Sequence, residues 1–394
     1  MDAITGTIQH YAWGSRSVLA DFMGQPATGE PWAEVWFGAH KLGPTRFGEG
    51  TIADAIARDP RSILGEAVVQ EFGPRLPYLV KFLAANAPLS LQVHPSKQRA
   101  EAGWLHEEHA GLALAAPGRN YRDANHKPEL IYALTRLEAL SGFRAPRRAL
   151  EIVDGLGAPL AREIVSLMRA HPGQASLEKV THFLLDEDTR PDAEAVAATI
   201  AACAERLSLG ASPSVRADRI VAQLGEAYPG DPAVVLALLL NPVTLQAGQT
   251  LFTPAGSLHC YLHGLGVEVM ADSDNVLRAG LTRKHTDVDE ALATTVFHGA
   301  PPVRIAAEDT SEHTQTFYAP VPDFELSLTR IPFGQRIDVA GCGPRIIACV
   351  EGCVDASCGG TTLTLRRGGA AFIPATDGAL SVSGEGRLIQ VSVP

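Results

Sequence analysis

The chain has 394 residues, 46% hydrophobic and 20% charged, which describes an ordinary globular protein rather than a disordered or fibrous one. At this length one core stops growing, so two or three domains are expected. A formal charge of -11 argues against a basic nucleic-acid surface, and no apolar run is long enough to span a membrane, so neither nucleic acid nor membrane is expected as a partner.

The opening stretch "MDAITGTIQHYAWGS" lacks the basic flank and apolar run of a secretory signal, and a cytoplasmic protein is expected. Residues 1–145 mix strand-like pieces, "LPYLVKFLAA", "LSLQVHP" and "ELIYALT", with turns and two short helical stretches. In "LSLQVHP" the strand alternation puts Leu89, Leu91 and Val93 on one face and Ser90, Gln92 and His94 on the other. An amide oxygen and an imidazole then lie within reach of a single ion, although a Gln-x-His pair alone is also the pattern of a hydrogen-bonded polar face.

Further on, "NYRDANHKPEL" sets His126, Lys127 and Glu129 around Pro128, which biases Lys127 toward an extended backbone entering a strand. A glutamate at the first position of a buried strand is costly unless it is paired or bound to a cation.

Between 146 and 240 the texture becomes helical, as in "RRALEIVDGLGAPLAREIVSLMRA" and "PDAEAVAATIAACAERLSL", with breaks at "HPGQAS", "GASPS" and "YPGDP". The nine residues "PAVVLALLL" read as a buried helix end. Strand and turn signals return from 241. "TLQAGQTLFTPA" at 244–255 and "TLRRGGAAFIPA" at 364–375 match at an offset of 120, which suits one edge of a double-sheet β barrel present twice. The first copy leads to His259; the second has Ala379 at the equivalent place. The expected fold is therefore mainly β, two related jelly-roll barrels with a helical domain inserted. Residues 1–145 and 241–300 form one barrel domain, 146–240 the helical domain, and 301–394 a second barrel without metal ligands.

Gln92, His94, Glu129 and His259 together offer two imidazoles, a carboxylate and an amide. This N/O set without thiolate suits zinc with an open position, and a neutral amide leaves the ion more electrophilic than a second carboxylate would. Cys260 beside His259 points to the other strand face. The six cysteines, four of them in the last 53 residues, lack paired C-x-x-C spacing and read as free buried thiols. "VEVMADSDNVLRAGLTRKHTDVDE" combines Asp274, Arg278 and Lys284; it is either a solvated polar loop or a place for a sugar phosphate.

"SLQVHPSK", "YRDANHKPE" and "HCYLHGLGVEVMADSDNVLRAGLTRK" together resemble the type I phosphomannose isomerases. The resemblance implies a cupin-type barrel, a zinc ion, one per chain, and exchange of mannose 6-phosphate with fructose 6-phosphate. A small phosphorylated sugar is the expected partner and a monomer the expected state, although the residues themselves do not fix the oligomeric state. It places the zinc ligands on Gln92, His94, Glu129 and His259 and the essential arginine on Arg278. Ser90 and Lys81 fall where substrate phosphate is associated, and Lys127, Asp274 and Lys284 match pocket residues. The family has proline before the last lysine, whereas here Arg283 precedes Lys284 and is a second candidate for phosphate. An aldose–ketose exchange needs an electrophile for the oxygens and a base near neutrality, through a cis-enediol; Lys127, His126 and Asp274 are the base candidates.

Three other readings remain open from the residues: a metal-free cupin that binds sugar phosphates, an iron cupin oxygenase, and an isomerase of a related phosphorylated aldose or a partner of nucleotidyl transfer. The absence of a glycine-rich nucleotide loop weighs against the last part.

Overall fold

The computed structural model describes residues 1–394 and contains two sheets, one of ten strands and one of eleven. Each is built around one long, bent strand. His259–Ala271 pairs with Leu91–Val93 and Leu137–Phe143 through its first half, then with Tyr78–Ala85 and Glu129–Ala133 through its second. Leu380–Ser392 does the same in the other sheet, pairing first with Arg336–Val339 and then with Glu325–Ile331, with Arg345–Cys358 beside it. A strand that changes partners midway turns from one layer into the other, which closes a sheet into a cupin-type barrel.

The bend has a sequence cause that recurs with the repeat. Gly264 sits at φ 129°, and a Cβ there would lie 2.7 Å from Arg136 O and Leu137 Cα. Gly384, 120 residues on, sits at φ 105° with its Cβ position 2.5 Å from Cys353 O. Only glycine fits where the corner brings two backbones that close.

Strand alternation then sorts side chains between the barrel interiors and the seam. Along Glu129–Ala133, Ile131 and Ala133 join the interior cluster of the first barrel, while Leu130 and Tyr132 join a larger cluster of 34 residues that also holds Phe317, Phe372 and Ile389 of the second. That shared apolar seam welds the barrels together. The chain's first strand crosses it too, since Asp2–Ile4 pairs with Ala370–Phe372. The helices between Pro146 and Leu239 pack their apolar faces against the outside of the first barrel, in one cluster with Leu91, Val93, Leu258 and Cys260.

The two barrels differ at one informative place. Glu129 opens its strand opposite Thr253, and Arg345 opens the corresponding strand opposite Ile373, the residue 120 positions after Thr253. The first barrel thus puts a buried carboxylate where the second puts a guanidinium that donates to Gly378 O. A fixed cation stands in the second copy where the first has a buried carboxylate.

Three expectations are corrected. Residues 1–145 hold five helices rather than two: Val18–Phe22, Ile52–Arg58, Pro60–Leu64, Glu66–Phe72 and Lys97–His109. Pro60 and Gly65 cut what would be one longer segment into three, with Thr51 and Asp59 capping two of them. Leu89 does not share the face of Leu91 and Val93, because the strand is only Leu91–Val93; Leu89 packs into the first barrel's interior cluster instead. All six cysteines are free, but Cys342 is exposed, Cys353 only partly buried, and Cys203 lies in a helix. No helix is long and apolar enough to cross a membrane.

Candidate metal centre and active site

The polar site fills one end of the first barrel, where four strands and one loop deliver inward-facing side chains. His259 is directly opposite Gln92, and Arg278 is opposite Gln92 on the other side, so these three share a face. Glu129 Oε1 lies 3.2 Å from His94 Nε2, and Glu129 Oε2 lies 3.3 Å from His259 Nε2. The Gln92 amide ends 3.2 Å from His259 Nε2. His94, Glu129 and His259 are all at most 2% exposed, and their ligand atoms fall within 4.8 Å of one another.

Each imidazole gives its other nitrogen to a backbone carbonyl: His94 Nδ1 lies 2.9 Å from Asn275 O, and His259 Nδ1 lies 2.9 Å from Ser257 O. Those bonds place the protons on Nδ1 and leave both Nε2 lone pairs facing the carboxylate. Burial pushes His94 down to about 4, so it is neutral at pH 7. Burial alone raises the Glu129 carboxyl, but the two facing imidazoles outweigh it and hold it well below the usual carboxylate range. Two ring nitrogens and two carboxylate oxygens thus converge on one point. His94 Nε2 and Glu129 Oε2 have no hydrogen-bond partner. Two buried acceptors left without a donor are costly unless a cation joins them, and the N/O donor set around them fits zinc.

Around this cluster lies a buried charge network. Lys81 Nζ is 3.0 Å from Glu268 Oε2 and 3.8 Å from Glu34 Oε1, and Trp36 Nε1 donates to Glu34 at 2.6 Å. Burial opposes the Lys81 charge, but Glu34 and Glu268 outweigh it and raise its pKa. Lys127 Nζ lies 3.8 Å from Glu129 Oε1 and donates to Ser273 O at 3.3 Å. Its pKa is lowered, by burial first and by Lys81 second. Fully ionised, Glu34, Glu129 and Glu268 exceed Lys81 and Lys127 by one negative charge; a divalent cation would turn that into one positive.

The remaining sequence candidates are placed as follows. Asp274 faces His40 at 3.1 Å; burial raises its pKa, and the His40 contact more than reverses this. His126 turns its Nε2 to Asp323 of the second barrel's side at 2.9 Å. Arg278 is half-buried, and Lys284 stands near it with its ammonium 5.2 Å from the Tyr11 ring. Arg283, next in the chain to Lys284, is exposed. Ser90 is half-buried just before its strand. The loop of Asp272–Asn275 is not solvated: Ser273 and Asn275 are buried.

Glu34, Glu268, His40, Tyr11 and Asp323 escaped sequence reasoning. Glu268 carried a usable signal, a carboxylate between Val267 and Val269 on an inward strand position, the same argument that picks out Glu129. His40 and Asp323 carried none, since their partners come from remote segments.

A family model described as the catalytic domain of type I phosphomannose isomerase matches residues 1–146, and one described as the mannose-6-phosphate isomerase cupin domain matches 313–393. The mannose-6-phosphate isomerase of Escherichia coli K12 is 35% identical, covering 99% of both chains. That of Homo sapiens is 32% identical over 94% of this chain and 92% of its own. A crystal structure of the Salmonella typhimurium enzyme bound to fructose 6-phosphate and zinc superposes with a TM-score of 0.89 at 34% identity, covering 99% of this chain and 98% of that one.

Proposed function

This chain belongs to the type I phosphomannose isomerase family and is an enzyme with mannose-6-phosphate isomerase activity; from that premise we propose that it works with one zinc ion per chain and through a cis-enediol. The observation that supports this most directly is the convergence of His94, Glu129 and His259, with His94 Nε2 and Glu129 Oε2 left without a hydrogen-bond partner. Those three side chains would hold the ion, with the Gln92 amide as the fourth ligand after a half-turn that presents its oxygen. When bound, zinc polarises the substrate's oxygens as a Lewis acid.

The chain's own groups supply the rest. Lys127 is the proposed base: burial and the charge of Lys81 lower its pKa, and its amine takes the C2 proton of the open-chain aldose and returns it to C1, while the hydroxyl proton moves from O2 to O1. His126 and Asp274 are each engaged, by Asp323 and His40, and serve to position their loops. Arg278, on the face shared with Gln92, adds positive charge where the enediolate develops. Lys284 is the proposed phosphate partner, with Ser90 at the edge of the pocket and Arg283 a second candidate. Lys81 is held between Glu34 and Glu268, so its proposed part is to orient those carboxylates and bias the pocket toward anions.

The functional unit proposed is a monomer. Catalysis is assigned to the barrel of 1–145 and 241–300, with 146–240 as packing support and 301–394 as a copy lacking ligands. The test is zinc content and turnover of mannose 6-phosphate in a coupled assay, before and after chelation. Stoichiometric zinc, with activity lost on chelation and regained on zinc addition, is expected. Zinc without turnover would send the reading to another phosphorylated aldose.

A further inference from the structure

Asn275 is wholly buried and spends every polar atom on the architecture around the site. Its Oδ1 accepts from the backbone amides of Arg122 at 2.8 Å and Asp123 at 3.3 Å. Its Nδ2 donates to Asp123 O at 2.7 Å, Asn125 O at 2.8 Å and Asp123 Oδ1 at 3.2 Å. Its backbone amide donates to Ser273 Oγ at 3.2 Å, and that hydroxyl donates to Asp123 Oδ1 at 2.9 Å. Its carbonyl accepts from His94 Nδ1.

We propose that Asn275 is a positioning residue for the metal centre: its side chain locks the 122–125 turn onto the 272–275 turn and thereby aims its own carbonyl at His94. Two loops remote in sequence meet at this one amide. The first runs on into Lys127 and Glu129; the second runs on into Arg278 and carries the Ser273 carbonyl that receives Lys127. An outer hydrogen bond to the distal nitrogen of a ligand imidazole fixes its tautomer and ring orientation, so the metal's grip depends on it. Asparagine is required because the position needs a donor pair facing three oxygens and an acceptor facing two amides, on one short planar group. Aspartate has the shape without the donors. The inference rests on His94 being a metal ligand.

The experiment compares zinc release to a chromogenic chelator from the zinc-loaded full chain and its Asn275→Asp, Ser273→Ala and His94→Ala variants. Arg206→Met, which breaks a buried ion pair with Asp218 in the helical insert, serves as a control for lost stability. Asn275→Asp is expected to release zinc roughly 10- to 100-fold faster, and to shift the visible bands of the cobalt-loaded protein, which Arg206→Met leaves in place. Should Asn275→Asp not fold, Ser273→Ala decides, with release expected to quicken about three- to tenfold on loss of part of the same network. Release at the parent rate, or no faster than in Arg206→Met, overturns the proposal. Full zinc retention in His94→Ala overturns the ligand reading beneath it, a failure distinct from that of Asn275.

Discussion

Lys81 and Glu268 stand directly opposite each other on adjacent strands inside the first barrel, with Nζ and Oε2 3.0 Å apart and both residues at most 5% exposed. Removing one partner leaves a buried charge alone. Lys81→Met is therefore expected to destabilise the protein by about 3–5 kcal/mol. The double variant Lys81→Met with Glu268→Leu should recover part of that loss. Denaturant melts of the three proteins check it; a double variant less stable than the single would contradict the pairing.

Glu129→Gln should weaken zinc binding by more than the roughly 10- to 100-fold that accompanies loss of an outer-shell hydrogen bond. It removes the charge that two imidazoles face at 3.2 and 3.3 Å. Metal analysis after gel filtration measures it, and a variant that keeps stoichiometric zinc would remove Glu129 from the ligand set.

Lys127→Met should lower kcat by roughly 10²- to 10⁴-fold with zinc content unchanged. A base acts when deprotonated, so kcat/KM of the parent enzyme should rise with pH through the lowered Lys127 pKa, below the ordinary lysine range. That limb should be missing in Lys127→Met. An identical pH profile in parent and variant would assign the proton transfer elsewhere.

The metal-free protein should be sensitive to acid. His94 titrates at about 4 in the folded chain and at roughly 6.5 unfolded, so between those values the unfolded state holds more protons. Stability then falls as pH drops from about 6.5 toward 4, by up to roughly 1.4 kcal/mol per pH unit for one proton. The lowered Glu129 acts in the same direction; the raised Asp272, at about 6, acts against it. Comparing chelated parent with chelated His94→Gln isolates the His94 part as a difference in the slope of stability against pH. Equal slopes would refute it.

Cys260→Ala should keep zinc and turnover. The Cys260 thiol donates to Leu89 O at 3.0 Å and packs with Leu91 and Val93 against the helical insert. Loss of zinc in this variant would mean that the strand presents its other face to the site.

Much of the site could be read from residues alone because strand geometry is local. The alternation of "LSLQVHP" is enough to pair Gln92 with His94, and it sends Cys260 away from His259. Glu129 announces itself as a charge at the head of an apolar strand, and the 120-residue offset reveals two copies of one barrel. The same local logic failed where a strand proved shorter than its pattern, as at Leu89, and where closely spaced Pro60 and Gly65 divided a helical segment.

What the chain determined by itself is the inventory: which side chains face inward, which strands carry them, and that a donor set suited to zinc exists. Only the tertiary structure decided the partners. Lys81 faces Glu34 and Glu268, His126 faces Asp323 at a sequence separation of 197, and Asn275 joins turns some 150 residues apart. The physical reason is that alternation and caps act within a few residues, whereas a buried charge takes whatever opposite group the closed barrel brings within about 4 Å, and that distance is set by the packing of the whole chain.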